Sequence, residues 1–103
     1  MKCRFTKSAE DDLEAIADWI ARDNKPRALT FVLELKAACM TVADFPEAWP
    51  LVPRYEAQGI RRKVHGNYLI FFTLAESEVI IIHILHGARD YESLLFPEPA
   101  DLT

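Results

Sequence analysis

The sequence is short of cysteine, of long apolar runs and of net positive charge, and each shortage closes off a class of protein. Cys3 and Cys39 are the only two cysteines among 103 residues. They lie far apart and form no CxxC or Cys/His spacing, so neither a disulfide framework nor a metal site is expected. Two small apolar side chains in a reducing compartment account for both. The longest apolar runs, YLIFF and VIII, fall far short of the roughly 20 residues that a membrane span requires. The N-terminus opens on a strand-like pattern rather than an apolar signal segment. A soluble, cytoplasmic protein is the expectation. A net charge of −4 argues against a chain that holds nucleic acid through its overall field. Repeats, low-complexity stretches and flexible linkers are missing too, so residues 1–103 read as a single domain.

What is present suits a folded domain. Half the residues are apolar and 27% are charged, ordinary values that exclude intrinsic disorder. A chain of this length buries about 65% of its unfolded surface, enough for one core. Charge is unevenly spread. Residues 7–44 carry eight acids against five bases, whereas residues 54–65 carry Arg54, Arg61, Arg62 and Lys63 against Glu56 alone.

Periodicity gives the order of elements. Residues 2–6 alternate polar and apolar with Cys3 and Phe5 on one face, a short strand. Thr6 or Ser8 can cap the helix that follows, where Glu10, Asp11 and Asp12 suit the positive end of the dipole. Leu13, Ile16, Ala17 and Ile20 then recur at i, i+3, i+4 and i+7, and this helix ends near Arg22. Asp23, Asn24 and Pro26 signal a second helix. Its core positions are Ala28, Phe31, Val32, Leu35, Ala38, Cys39 and Val42, and the short join predicts an antiparallel helical hairpin. Pro46, Pro50 and Pro53 make residues 45–59 an irregular, stiff crossing segment. Strands are expected at 60–65, 68–74 and 79–86, joined by Gly66-Asn67 and by the polar AESE. Asp90 could cap a short turn through Leu94. The helices need a sheet face to cover their apolar stripes.

Few residues suggest chemistry. His65, His83 and His86 could supply a general base, but none stands beside a Ser or Cys nucleophile in a recognisable context. His83, counted at period two on the face of Ile81 and Leu85, reads as a hydrogen-bonded structural residue. His86 at the strand end is open to a functional or a capping role. Glu10, Asp11, Asp12 and Glu14 point in different directions around a helix start, whereas a metal needs convergent ligands. They read as solvated acids. Arg61 and Lys63 are expected on one face of their strand and Arg62 on the other, with Arg89 and His86 able to approach from the last strand's exit. Such a cluster can grip phosphates or carboxylates by charge-assisted hydrogen bonds, or it can simply guard an edge strand. Trp19 is expected to be partly buried beside Ile20, and Trp49 to pin the crossing segment. Either could instead face a partner.

Four strings together resemble the ParE branch of the RelE/ParE toxin superfamily. They are FTKSAEDDLEAIADWIARDN at 5–24, FPEAWP at 45–50, GIRRKVHGNYLIFFTL at 59–74 and VIIIHILHGARD at 79–90. The resemblance implies an α+β fold in the order β-α-α-β-β-β, with the helical hairpin packed on one face of a mainly antiparallel sheet. It implies the toxin of a type II toxin–antitoxin module, inhibiting DNA gyrase and neutralised by a ParD-like antitoxin in a hetero-oligomer such as a heterotetramer. No cofactor, catalytic residue, membrane or direct specific DNA binding is implied. Gyrase contacts would lie at His86, Arg89 and Asp90. The antitoxin would use Arg54, Arg61 and Lys63, together with the hairpin's groove. Two alternatives stand beside this. RelE-type members cleave messenger RNA on the ribosome with basic sheet residues and a C-terminal acid/base group. Here Tyr91 follows Arg89 too closely for that group and Leu95 stands about where it would fall. The chain could also be a non-toxic homologue that only binds the antitoxin.

Overall fold

The protein was analysed as a computed structural model that describes residues 1–87 and Leu95. Six elements follow in the expected order: β1 (Lys2–Phe5), α1 (Lys7–Ala21), α2 (Lys25–Val42), β2 (Arg61–His65), β3 (Tyr68–Ala75) and β4 (Glu78–His86). The strands form one mixed sheet in the order β1-β4-β3-β2, with β1 parallel to β4 and the other pairs antiparallel.

Local chemistry sets the ends of these elements. Thr6 is the N-cap of α1, its hydroxyl accepting from the Ala9 N–H at 3.1 Å. The same hydroxyl donates to the carbonyl of Ile82 at 2.9 Å, so one side chain both starts α1 and ties it to β4. Asn24 caps α2 by accepting from the Arg27 N–H at 3.0 Å, with Pro26 in the first turn, where its missing N–H costs nothing. At the 66–67 hairpin Gly66 takes the positive φ of 60° and Asn67 does not, the arrangement of a turn that needs glycine first.

The crossing segment is more regular than its prolines suggested. It contains two single 3-10 turns, Pro46–Ala48 and Glu56–Gln58, the second closed by Gly59 in the left-handed region. It also pairs with β2. Val52 N–H donates to the Ile60 carbonyl and Arg62 N–H to the Pro50 carbonyl, so half of the edge expected to be open is covered. The remainder ends at Val64, 59% exposed.

Both sheet faces are packed. On the helical side Leu13, Ile16, Leu35, Cys39 and Val42 meet Ile70, Phe72, Val79, Ile81 and Ile84. On the opposite side Val52 and Ile60 cover Leu69, Phe71 and Leu85, with Tyr55, Ile82 and Leu95 packed against them. Phe71 and Phe72, neighbours in sequence, are each fully buried on opposite faces, which accounts for a strand apolar on both sides.

Two side-chain placements differ from the sequence expectation. The register shifts where Phe71 faces His83 but Phe72 faces Ile81, leaving Ile82 as a bulged residue on β4. A bulge reverses the two-residue count beyond it. Ile81 therefore packs on the helical side and Leu85 on the other, not together. Trp19, expected to be partly buried, is 64% exposed, because Leu13 and Ile16 fill the core stripe and position 19 falls at its border.

Candidate functional site

The basic strand faces the helices. Arg61, Lys63 and His65 alternate with Arg62 and Val64, and the first three pair with Phe72, Ile70 and Tyr68 of the helical-side core. Their charges have work within the fold. Arg61 donates to the Trp49 carbonyl at 2.6 Å and more distantly to that of Glu47. Lys63 places its ammonium 3.8 Å from the centre of the Trp49 ring. This cation–π and hydrogen-bond pair pins the crossing segment, as expected of Trp49. Arg54 is exposed in that segment at φ 78°, between Val52 and Tyr55 on the stretch that covers the opposite sheet face. It therefore stands apart from the face that Arg61 and Lys63 share.

The strand exit forms a second group. His86 is exposed and packs edge-on against Tyr68, ring centres 5.3 Å apart. Tyr68 meets Phe31 at 5.5 Å, and Phe31 meets His65 at 6.1 Å, with the Arg27 guanidinium 5.1 Å from the Phe31 ring. His86 thus approaches β2 at its His65 end, while Arg61 lies further along beside Phe72. Arg89 and Asp90 lie outside the described residues. Tyr68 and Phe31 carried no functional signal in the sequence beyond helical or strand spacing.

A third group joins α1 to β4. Asp12 Oδ2 accepts from His83 Nδ1 at 2.7 Å and from the Ile84 N–H at 2.9 Å, and both side chains are 17% exposed. β1 ends before this point, so Asp12 satisfies a β4 amide that the neighbouring strand does not reach. His83 is the structural histidine expected. Asp12 is not the solvated acid expected, whereas Glu10, Asp11 and Glu14 are exposed.

The outer surface of the hairpin is apolar where a solvated helix would be polar. Leu29 is 65%, Leu33 56% and Met40 55% exposed along one stripe of α2. Beside it a groove of about 450 Å³ runs between the helices over Leu13, Ala17 and Val32, rimmed by Glu10, Glu14 and Lys36. The stripe and groove adjoin at helical spacing, so α2 presents apolar side chains on most of its circumference. Such a helix is built to be covered. Among the described residues no group of His, Cys, Asp or Glu converges as a metal site.

These features describe a small α+β domain whose Arg61 and Lys63 are engaged within the fold and whose α2 turns an apolar stripe outward. Comparison with known proteins sharpens that class. Residues 3–91 match the sequence model of the ParE toxin of the type II toxin–antitoxin system, parDE, and the chain belongs to that family. A solved structure described as a chromosomal ParDE TA system from P. aeruginosa superposes with a TM-score of 0.71 at 21% identity, covering 84% of this chain and 95% of that one. It supports the fold. No curated protein matches the chain.

Proposed function

We propose that the chain is the toxin of a two-gene module, that it acts by inhibiting DNA gyrase through protein contact, and that a ParD-like antitoxin neutralises it in the cytoplasm. Family membership supports the toxin role. The observation that carries the antitoxin is the stripe of Leu29, Leu33 and Met40 beside the inter-helix groove, which suits an amphipathic helix from a partner. Val64, at the uncovered end of β2, offers a neighbouring edge for an extended segment.

A protein-directed rather than nucleolytic action is favoured by the state of the basic strand. Arg61 and Lys63, which a ribonuclease would aim at phosphates, are engaged with Trp49. Among the described residues no helix is long and apolar enough to cross a membrane. His86, on the exposed exit of β4, remains a contact candidate for the target.

Induction of the chain alone should arrest growth, and co-expression of the antitoxin encoded beside it should restore growth. Purified chain should block supercoiling by gyrase. Intact supercoiling together with cleavage of ribosome-bound messages would overturn the gyrase reading in favour of a RelE-like nuclease. Unimpaired growth on induction, with antitoxin binding retained, would identify a non-toxic antitoxin-binding module.

A further inference from the structure

One cleft gathers a carboxylate and three aromatic rings at the surface. It lies between α1 and the end of the β3–β4 pair, has a volume of about 410 Å³, and bears Asp12, Trp19, Tyr68 and His86 over buried Ile16 and Ile84. We propose that this cleft receives a lysine or arginine side chain of the antitoxin. The proposal rests on the reading that an antitoxin binds this chain, and it names one of the contacts.

The carboxylate selects the charge. Both fixed hydrogen bonds of Asp12 end on Oδ2, and Oδ1 accepts none from the described residues. Among those residues no fully buried side-chain oxygen lacks a partner, so solvent reaches Oδ1. Because His83 Nδ1 and the Ile84 amide hold the carboxylate in place, its orientation is set before anything binds. A ligand cation therefore gains a charge-assisted bond at little ordering cost. A ligand carboxylate would meet like charge. A purely apolar side chain would strip water from Oδ1 and return no hydrogen bond. Asp18, exposed on α1, adds negative charge nearby, whereas Asp11 is paired with Lys7 at 2.6 Å.

The aromatic walls fit the same ligand. Trp19 is the one large apolar side chain of α1 left mostly in water, and it stands at this cleft rather than alone on the surface. Its ring already attracts a guanidinium, since Arg22 lies 5.0 Å from its centre. Tyr68 and His86 add further aromatic surface. Lysine and arginine carry a methylene stem that packs between such walls while the charged head reaches a carboxylate.

The test measures affinity between the purified chain and its operon-encoded antitoxin for the native toxin, Trp19→Ala and Ala15→Arg. Trp19 and Ala15 are exposed, and Ala15 lines the cleft, so Ala15→Arg fills it with the toxin's own guanidinium. Each substitution should weaken binding at least tenfold. Melting of free Trp19→Ala should stay within a few degrees of native, and that variant decides the matter should Ala15→Arg melt lower. Each lysine and arginine of the antitoxin's toxin-binding segment is then changed to alanine. One of them should lose tenfold against native toxin and less than twofold against Trp19→Ala. Native affinity in both toxin variants, or equal losses on native and Trp19→Ala toxin, would overturn the cation-receiving cleft while leaving the module intact. No binding by the native chain would overturn the module reading and the cleft together.

Discussion

Replacing Asp12 with alanine tests the clasp between α1 and β4 directly. The substitution leaves His83 Nδ1 and the Ile84 N–H without their acceptor, at a site where both side chains are 17% exposed. A hydrogen bond to a charged group contributes about 1.5–3 kcal/mol, and partial water access returns some of that at each donor. Alanine also restores about 0.5 kcal/mol through its helix propensity. The expected net loss is about 2–3 kcal/mol, which for a domain of this size is a fall in Tm of about 10–20 °C. Asp12→Asn can set its carbonyl oxygen in the place of Oδ2, keeps a neutral acceptor for both donors, and should lose only about 1 kcal/mol. Urea unfolding followed by circular dichroism gives these values, with the m-value checked for constancy. The double variant Asp12→Ala/His83→Ala should be less destabilised than the sum of its parts by about 1 kcal/mol. A loss for Asp12→Ala within about 0.5 kcal/mol of zero, or strict additivity with His83→Ala, would refute the clasp.

Three further outcomes follow from single contacts. Thr6→Ala removes both the α1 cap and the bond to the Ile82 carbonyl, and should lower stability by about 1–2 kcal/mol in the same unfolding assay, while Thr6→Ser recovers most of it. Gly59, at φ 70° and ψ 25°, should lose about 1 kcal/mol on conversion to alanine and less on conversion to asparagine, which tolerates that region. Burial pushes the Cys39 thiol up to about 12. At pH 8 its thiolate fraction is then about 10⁻⁴, and alkylation of the native protein should label Cys39 far more slowly than the unfolded chain, with mass spectrometry locating the adduct. Labelling of native Cys39 at the unfolded rate would contradict its burial.

The elements were legible because their signals are local. Thr6, Asn24 and Pro26 mark helix starts by their own chemistry, and Gly66 marks a hairpin by its φ. The helical stripes of Leu13 and Ile16, or of Leu35 and Cys39, need only spacing. What escaped the sequence depends on a second element. Nothing near Ile82 announces a bulge, yet that one residue reverses which face Leu85 occupies. Asp12 looks like its exposed neighbours until β4 brings His83 and the Ile84 amide beside it. The basic cluster was found by composition, but the carbonyl and ring of Trp49 that engage Arg61 and Lys63 come from the distant crossing segment. Trp19 sits one helical step outside the core stripe, and hydrophobicity alone cannot resolve that step.

The parallel pairing of β1 with β4 also bears on when this fold can form during synthesis. Lys2 to Phe5 find their partners at Glu78 to Ile81, so β1 has no place in the sheet until β4 has been synthesised. Thr6 likewise donates to the carbonyls of Ile81 and Ile82, and Asp12 waits for His83 and Ile84. A ribosome that stalls or drops off before this point releases a chain that lacks a central strand and, with it, the Val79, Ile81 and Ile84 that the helices cover. In such a topology, partial synthesis yields no partial fold. Under the function proposed above, the interval between the emergence of β1 and the arrival of β4 is time in which an antitoxin translated nearby can already be folded.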